Sequence, residues 1–240
     1  LVLGALSLLS ACHPGKVTKE PIVLKYPETK KVTQVDDYFG TKVSDPYRWL
    51  EDDNSAETKT WVEEENKVTF SYLDKIPFRE NVKKRLTQLW NYEKLTAPVK
   101  KAGMYFSFYN NGLQNQAVLC MQKNLKDARV ELLDPNKLSA DGTISFSGWD
   151  VSKDGKYLAY GISKAGSDWV ECHVMEISTK KELADKIEWV KFSGISWCKN
   201  GFYYSRYDAP ETGKALTKQN TGHKVYCHEV GTEQSKNKLI

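Results

Sequence analysis

Three segments that begin with Gly, any residue and Tyr constrain the fold of this chain more than any other feature. They start at Gly103, Gly155 and Gly201, each after a short turn-forming sequence, and each continues with alternating apolar residues. From Gly103 to Gly155 is 52 residues, and from Gly155 to Gly201 is 46. A second strand is predicted after each segment, at 117–122, 170–177 and 225–230. Hairpins that repeat at about 50 residues are typical of β-propeller blades, with an unrelated β-sandwich as the alternative. We attribute the three glycines to turns that need a positive φ.

The stretch 36–92 has helical rather than strand periodicity. It predicts a short helix over 47–51 and two longer amphipathic helices, whose apolar side chains we expect to pack in a core. Asp45 is the predicted cap of the short helix, Asn54 or Ser55 caps the next helix, and Pro77 ends it. The apolar stripe of the last helix is Val82, Leu86, Leu89 and Trp90. With the strands that follow, the predicted fold class is α+β. A net charge of +4, spread along the chain, gives no reason to expect binding to nucleic acid.

The chain opens on a short apolar run followed by a lipobox-like sequence. Residues 1–9 are too short to span a bilayer but have the length of a signal-peptide core, and Leu9, Ser10 and Ala11 precede Cys12. We predict a signal-peptide remnant at 1–12, a lipid on Cys12 and a tether at 13–30, with an ordinary cleaved secretory peptide as the alternative. The first Met is Met104, and 235–240 ends on an apolar pair without a cap. We therefore expect the chain to be the N-terminal part of a longer protein.

The third Gly-x-Tyr unit contains a polar insertion at 209–222. The distance from the repeat glycine to the second strand is 14 residues in the first unit, 15 in the second and 24 in the third. Long loops on a rigid scaffold often gate or bind ligands, and a neutral surface insertion is the alternative.

Within the 240 residues no catalytic constellation is recognisable. There is no Gly-x-Ser-x-Gly, phosphate loop, dinucleotide motif or His-Glu-x-x-His, and no carboxylate pair is arranged for acid–base catalysis. Cys227 and His228, with His223, could be taken for metal ligands, as could Cys172 and His173. Adjacent strand residues point to opposite faces, so we predict no metal site. Cys120, Cys172, Cys198 and Cys227 are predicted to be free thiols, although an exported protein could also pair them.

Four strings in the chain resemble prolyl oligopeptidases, a family of serine peptidases. They lie at 37–52 (DYFGTKVSDPYRWLED), 105–116 (YFSFYNNGLQNQ), 133–139 (LDPNKLS) and 160–169 (YGISKAGSDW). The resemblance runs from about Tyr26 to the last residue. It implies an α/β-hydrolase domain with a seven-bladed β-propeller, no cofactor, and cleavage of short peptides after proline.

The resemblance also implies a domain plan. Residues 31–97 would be the N-terminal helical arm of the catalytic domain, and 98–240 the first three propeller blades. The triad would lie downstream, so no catalytic residue is expected in this chain. Val174 aligns with an aromatic position of a distal substrate subsite, and 209–222 aligns with a loop implicated in substrate entry. The predicted partners are short proline-containing peptides.

The anchored start resembles exported bacterial members of the family. It predicts a periplasmic or surface-facing protein that touches the membrane only through its lipid, and a monomer when full length. Alternatives are a non-catalytic peptide-binding lipoprotein, a truncated gene product, or a related post-proline exopeptidase or oligopeptidase B.

Overall fold

A computed structural model describes residues 23–240. The predicted lipid-bearing Cys12 lies outside the described residues. The chain divides into two compact units, one up to Arg79 and one from Glu80 to Ile240. No helix in the described part is both long and apolar enough to cross a membrane.

The first unit starts with a β-hairpin where the sequence predicted helix. Strands β1 (Val35–Tyr38) and β2 (Thr41–Ser44) pair antiparallel. Phe39 and Gly40 form the turn, with φ of 54° and 90°, and the Gly40 amide donates to Asp37 Oδ1 at 2.6 Å. Two consecutive positive φ values are what a tight two-residue hairpin requires. The helical prediction for 36–44 is therefore wrong.

The predicted helix over 47–51 is a single 3₁₀ turn, Arg48–Glu51. Asp45 lies before it in an Asx turn, in which its Oδ1 accepts from the Tyr47 amide at 3.2 Å. The N-cap position is Tyr47, which makes no side-chain capping hydrogen bond, so the predicted cap at Asp45 is wrong. The turn stops because Asp52 leaves the helical region, with φ −88° and ψ 85°. Helix α1 (Ala56–Leu73) then begins at Ser55, whose Oγ accepts from the Thr58 amide at 3.1 Å. The predicted cap is confirmed.

Helix α2 (Arg79–Trp90) forms as predicted, but its apolar stripe is not in a core. Val82, Leu86, Leu89 and Trp90 are 48%, 53%, 51% and 63% exposed. The expectation of core packing is wrong for this helix in the described chain.

The second unit continues as two antiparallel sheets. The five-stranded sheet comprises β3 (Lys94–Leu95), β4 (Val99–Lys101), β5 (Met104–Asn110), β6 (Val118–Gln122) and β7 (Val130–Leu133). Both β3 and β4 pair with β5. The eight-stranded sheet comprises β8 (Ile144–Val151), β9 (Tyr157–Lys164), β10 (Val170–Glu176), β11 (Lys181–Val190), β12 (Ser196–Cys198), β13 (Gly201–Arg206), β14 (Lys224–Glu229) and β15 (Lys238–Leu239).

The three predicted hairpins are confirmed as β5–β6, β9–β10 and β13–β14. Gly103 and Gly155 have φ of 81° and 75°, as a tight turn requires. Gly201 occupies its place in the pattern for a different reason than predicted, because it has no positive φ. A Cβ on Gly201 would lie 1.8 Å from the carbonyl oxygen of His228, so only glycine permits this close approach of β13 to β14.

Two apolar cores lie on opposite faces of the β8–β11 group. Leu158 and Tyr160 pack toward the five-stranded sheet with Phe106 and Leu119. Cys172 and other residues of the opposite face pack toward β12–β15, with Phe202, Tyr204 and Trp197. The period-2 alternation of β9 and β10 therefore supplies both cores.

A buried polar network connects the β8–β11 group to the β12–β15 group. His228 on β14 is fully buried, and its Nε2 lies 2.8 Å from Asp185 Oδ1 on β11. The Gly231 amide donates to the same oxygen at 2.6 Å, and His228 Nδ1 lies 2.8 Å from Asn237 Oδ1. Burial alone would raise the pKa of Asp185, but these hydrogen bonds and the His228 charge outweigh it and hold that pKa below its ordinary value of 3.8.

We expect Asp185→Asn to destabilise the chain at neutral pH and to matter less in acid. The lowered pKa means that the ionised carboxylate contributes stability above its unfolded-state pKa of about 3.9, and that this contribution is lost as pH falls through the lower native value. The loss at pH 7 should be about 1–3 kcal/mol, the range for hydrogen bonds to a charged group. Urea unfolding at pH 7 and pH 3 measures it. Asp168→Asn, at an exposed carboxylate, is the control. If parent and Asp185→Asn differed by the same free energy of unfolding at pH 7 and pH 3, the ionised Asp185 carboxylate would not be the stabilising group.

Candidate functional site

The insertion at 209–222 is the candidate site, because it is anchored at its base and exposed along its length. It leaves β13 after Tyr207 and Asp208 and rejoins β14 at His223 and Lys224. The Tyr207 and His223 rings stack with centroids 4.4 Å apart, and Lys224 Nζ lies 2.6 Å from Asp208 Oδ2. That ammonium, through its hydrogen bond, holds the pKa of Asp208 below its ordinary value. The two ends of the insertion are thus closed on each other.

A second anchor holds the middle of the insertion against β10. The indole N–H of Trp169 donates to the carbonyl oxygen of Ala215 at 2.8 Å. The Trp169 ring packs edge-on against Trp189 at 5.5 Å and against Tyr207 at 6.2 Å. Lys191 Nζ lies 4.9 Å from the Trp169 centroid, within cation–π range. One indole therefore connects the insertion to three neighbouring segments.

The backbone beside this aromatic cluster is strained. Trp189 and Phe192 have φ of 63° and 53°, in the left-handed region that bulky residues avoid. The carbonyl of Lys191, between them, lies 3.1 Å from His223 Nε2 at the end of the insertion. Such conformations persist only where the surroundings hold them, and they concentrate at functional sites.

Beyond its anchors the insertion is polar and exposed. Its internal contacts are short-range: Lys218 Nζ to Glu211 Oε1 at 2.8 Å, and the Lys214 amide to the Glu211 carbonyl at 2.9 Å. The hydrogen bond from Lys218 lowers the pKa of Glu211. Exposed pairs of this kind add little stability, so the tip can rearrange while the base stays fixed.

A small cleft opens beside the same tryptophan. Trp169, Trp189, Lys164 and Glu171 are among its lining residues, and its volume is about 190 Å³. The cleft combines two indole surfaces with charged groups of both signs.

The structure places the predicted substrate residue Val174 away from this site. Val174 is fully buried on β10, in the core shared with β12–β15. Val174 has no exposed surface in the described chain, and its role in a distal substrate subsite stays a prediction. The position is determined by its neighbours Cys172 and Ile187, which lie in the same core.

The sequence analysis missed a titratable cluster on the opposite face of β10. Tyr160 O–H donates to Glu182 Oε2 at 2.8 Å, and His173 Nδ1 lies 2.9 Å from Glu182 Oε1. Burial and this carboxylate raise the pKa of the Tyr160 phenol, so it stays protonated. Tyr160 and His173 are paired in the β9–β10 register, which no sequence motif encodes. No group of three or more His, Cys, Asp or Glu ligands converges in residues 23–240.

We expect Trp169→Phe to loosen the insertion without unfolding the chain. The phenyl ring keeps the aromatic contacts, but the hydrogen bond to Ala215 is lost, at a net cost of about 1 kcal/mol. Local opening at 209–222 should therefore become about fivefold more frequent, measured as faster amide hydrogen exchange. Trp49→Phe removes a comparable indole bond, to the Lys30 carbonyl at 3.0 Å, and is the matched control. Unchanged exchange at 209–222 would show that this indole is not the anchor.

Comparison with known proteins supplies the family. The family model described as prolyl oligopeptidase, N-terminal beta-propeller domain, matches residues 26–240. Prolyl endopeptidases of Elizabethkingia meningoseptica and Elizabethkingia miricola are 50% and 51% identical over 219 residues, covering 91% and 90% of this chain and 31% of each relative. A chain from a structural and mechanistic study of two prolyl endopeptidases aligns with a TM-score of 0.77 at 31% identity, over 90% of this chain and 32% of its own length.

A second solved structure is similar in the same region. Prolyl oligopeptidase B from Galerina marginata, bound to a 35mer hydrolysis and macrocyclization substrate, aligns with a TM-score of 0.73 at 32% identity, over 90% of this chain and 34% of its own. The chain thus spans about a third of the length of the relatives it matches. Since the family model covers nearly the whole described region, the chain belongs to the family of prolyl oligopeptidase N-terminal β-propeller domains.

Proposed function

We propose that this chain is the N-terminal part of a serine endopeptidase that cleaves short peptides on the carboxyl side of proline. The family match over 26–240 is the observation that carries the proposal. Two relatives that are about 50% identical to this chain over 219 residues are both named prolyl endopeptidase, which supports the proposal. In this proposal the sheets of 98–240 are the first three blades of a seven-bladed propeller, which admits short peptides and excludes folded proteins.

The exposed stripe of α2 supports a role for 31–97 as the helical arm of a catalytic domain. Val82, Leu86 and Leu89 lie about one helical turn apart, on one face, and each is about half exposed. Covering apolar surface is worth about 25 cal/mol per Å². We propose that the α/β-hydrolase domain covers this stripe.

The anchored insertion supports a gating role at the entrance for peptides. Its base is fixed by Trp169 and by the Tyr207–His223 stack, whereas the exposed tip is held by surface contacts. A loop built in this way can move without disturbing the sheet beneath it. We propose that 209–222 opens and closes the path to the propeller interior.

We expect the full product of this gene to hydrolyse a Gly-Pro chromogenic peptide, and the 240-residue chain alone to be inactive. In the full product, Leu86→Glu should lower the activity at least about tenfold, because an unpaired buried carboxylate costs several kcal/mol. Steady-state hydrolysis, with circular dichroism to verify folding, measures both effects.

The matched control for that variant is Gln88→Glu, which adds the same charge at an exposed position away from the stripe. It should keep the activity. Equal loss in both variants would contradict the packing role of α2. Saturable peptide binding without hydrolysis by the full product would replace the peptidase with a peptide-binding lipoprotein.

We also propose that Cys12 bears a lipid that anchors the protein in the cell envelope, facing the periplasm or the exterior. The sequence around Cys12 supports this. Each buried methylene of an acyl chain contributes about 0.8 kcal/mol to membrane binding, so two or more chains anchor stably. Cys12→Ser should move the product from the membrane fraction to the soluble fraction, whereas Cys120→Ser should not. Membrane retention of Cys12→Ser would rule out the anchor.

A further inference from the structure

Two of the four described cysteines lie in contact on one surface of the β12–β15 group. The Sγ atoms of Cys198 and Cys227 are 3.5 Å apart, and both side chains are half-buried. Cys120 and Cys172, in contrast, are buried. The structure joins none of these four cysteines in a disulfide, and their free-thiol state stays a prediction.

The strand register explains why the two thiols meet. Cys198 on β12 pairs with Gly201 on β13, and Cys227 on β14 pairs with Tyr203 on β13. Paired residues of an antiparallel sheet project to the same face, so both thiols lie on one side of β13. Gly201 contributes no side chain between them. His228, adjacent to Cys227, is fully buried on the other face, which excludes it from any site formed by the thiols.

The same register disfavours a disulfide. Strands β12 and β14 pair with opposite edges of β13, so the two cysteines are not direct cross-strand partners. A disulfide needs Cα atoms within about 7 Å. The Sγ separation of 3.5 Å is about 1.5 Å longer than an S–S bond, so the two thiols would have to move closer before they could bond.

A bridging ion needs no such movement. With metal–sulfur bonds of about 2.3 Å, a sulfur separation of 3.5 Å gives a sulfur–metal–sulfur angle of about 100°, close to tetrahedral. A linear two-coordinate ion would need the sulfur atoms about 4.6 Å apart, twice that bond length. The spacing therefore selects tetrahedral soft ions over linear ones.

We propose that Cys198 and Cys227 form a two-thiolate site for a tetrahedral, thiophilic divalent cation of the zinc class. On binding, each thiol releases one proton to solvent and each thiolate forms one bond to the ion, so the two sulfur charges balance the cation. Since no third His, Cys, Asp or Glu ligand converges here among the described residues, water fills the other two positions. The half-exposed thiols leave room for that water. The ion would connect β12 to β14 across β13.

The test is a titration of the reduced 240-residue chain with Cd²⁺ as the probe. We expect one ion per chain, a thiolate-to-cadmium charge-transfer band in the ultraviolet, and protection of Cys198 and Cys227 from alkylation, located by mass spectrometry. Cys198→Ser and Cys227→Ser should each weaken binding by more than about 100-fold, since loss of an outer-sphere partner already costs about 10–100-fold. Zn²⁺ should raise the Tm of the parent chain and not of these variants.

Cys120→Ser, at a buried thiol of the five-stranded sheet, is the control and should bind Cd²⁺ as the parent does. The alkylation pattern of the parent chain needs no variant, so it decides the question even where a substitution harms folding. Cd²⁺ binding that is unchanged in Cys198→Ser, or alkylation of both thiols in the presence of Cd²⁺, would overturn the site. If the chain kept under air were 2 Da lighter and reductant restored its mass, Cys198 and Cys227 would form a disulfide instead of a metal site.

Discussion

Backbone pairing between β11 and β13 consists of one residue pair, Val190 opposite Arg206, so side chains must hold the two halves of the eight-stranded sheet together. Asp185 and His228 do this from within, at 2.8 Å and almost without solvent contact. Gln234 adds a second connection, because its amide both donates to and accepts from the backbone of Glu188. In a low-dielectric interior such a pair is costly to break, because each partner would be left as a buried polar group without its hydrogen bond. The position of β13, and of the insertion that follows it, depends on this junction.

The position of the insertion depends on that junction and on the Trp169 indole. Strand β13 fixes Tyr207, and β10 fixes Trp169, so the two anchors come from the two groups that Asp185 and His228 connect. A change in the relative position of the groups would therefore change the Trp169–Tyr207 contact and the bond to Ala215 together. The proposed gate is coupled to the sheet through these side chains rather than through backbone pairing.

The sequence predicted what depends on local periodicity and missed what depends on distant partners. The three hairpins and the Ser55 cap follow from residues within a few positions of each other, and both are confirmed. The role of Gly201 was misassigned because the atom that excludes a side chain there is the His228 carbonyl, 27 residues away. The network around Asp185, the anchor at Trp169 and the contact of Cys198 with Cys227 all join residues on different strands. For α2 the period was right, but periodicity cannot tell whether an apolar stripe is covered by the same chain.

The two cores on opposite faces of the β8–β11 group give the second unit a stability gradient. This middle group is sandwiched, so its strands lose contacts on both sides only when the whole stack opens. Each outer group is held to the stack through one core, and the β12–β15 group is held in addition by the Asp185–His228 pair. In stacked arrays of this kind, stability is approximately a sum of nearest-neighbour terms, and the ends fray first. The middle group would then be the part that survives partial unfolding, and the group that bears the insertion would separate from it only once the Asp185–His228 pair opens.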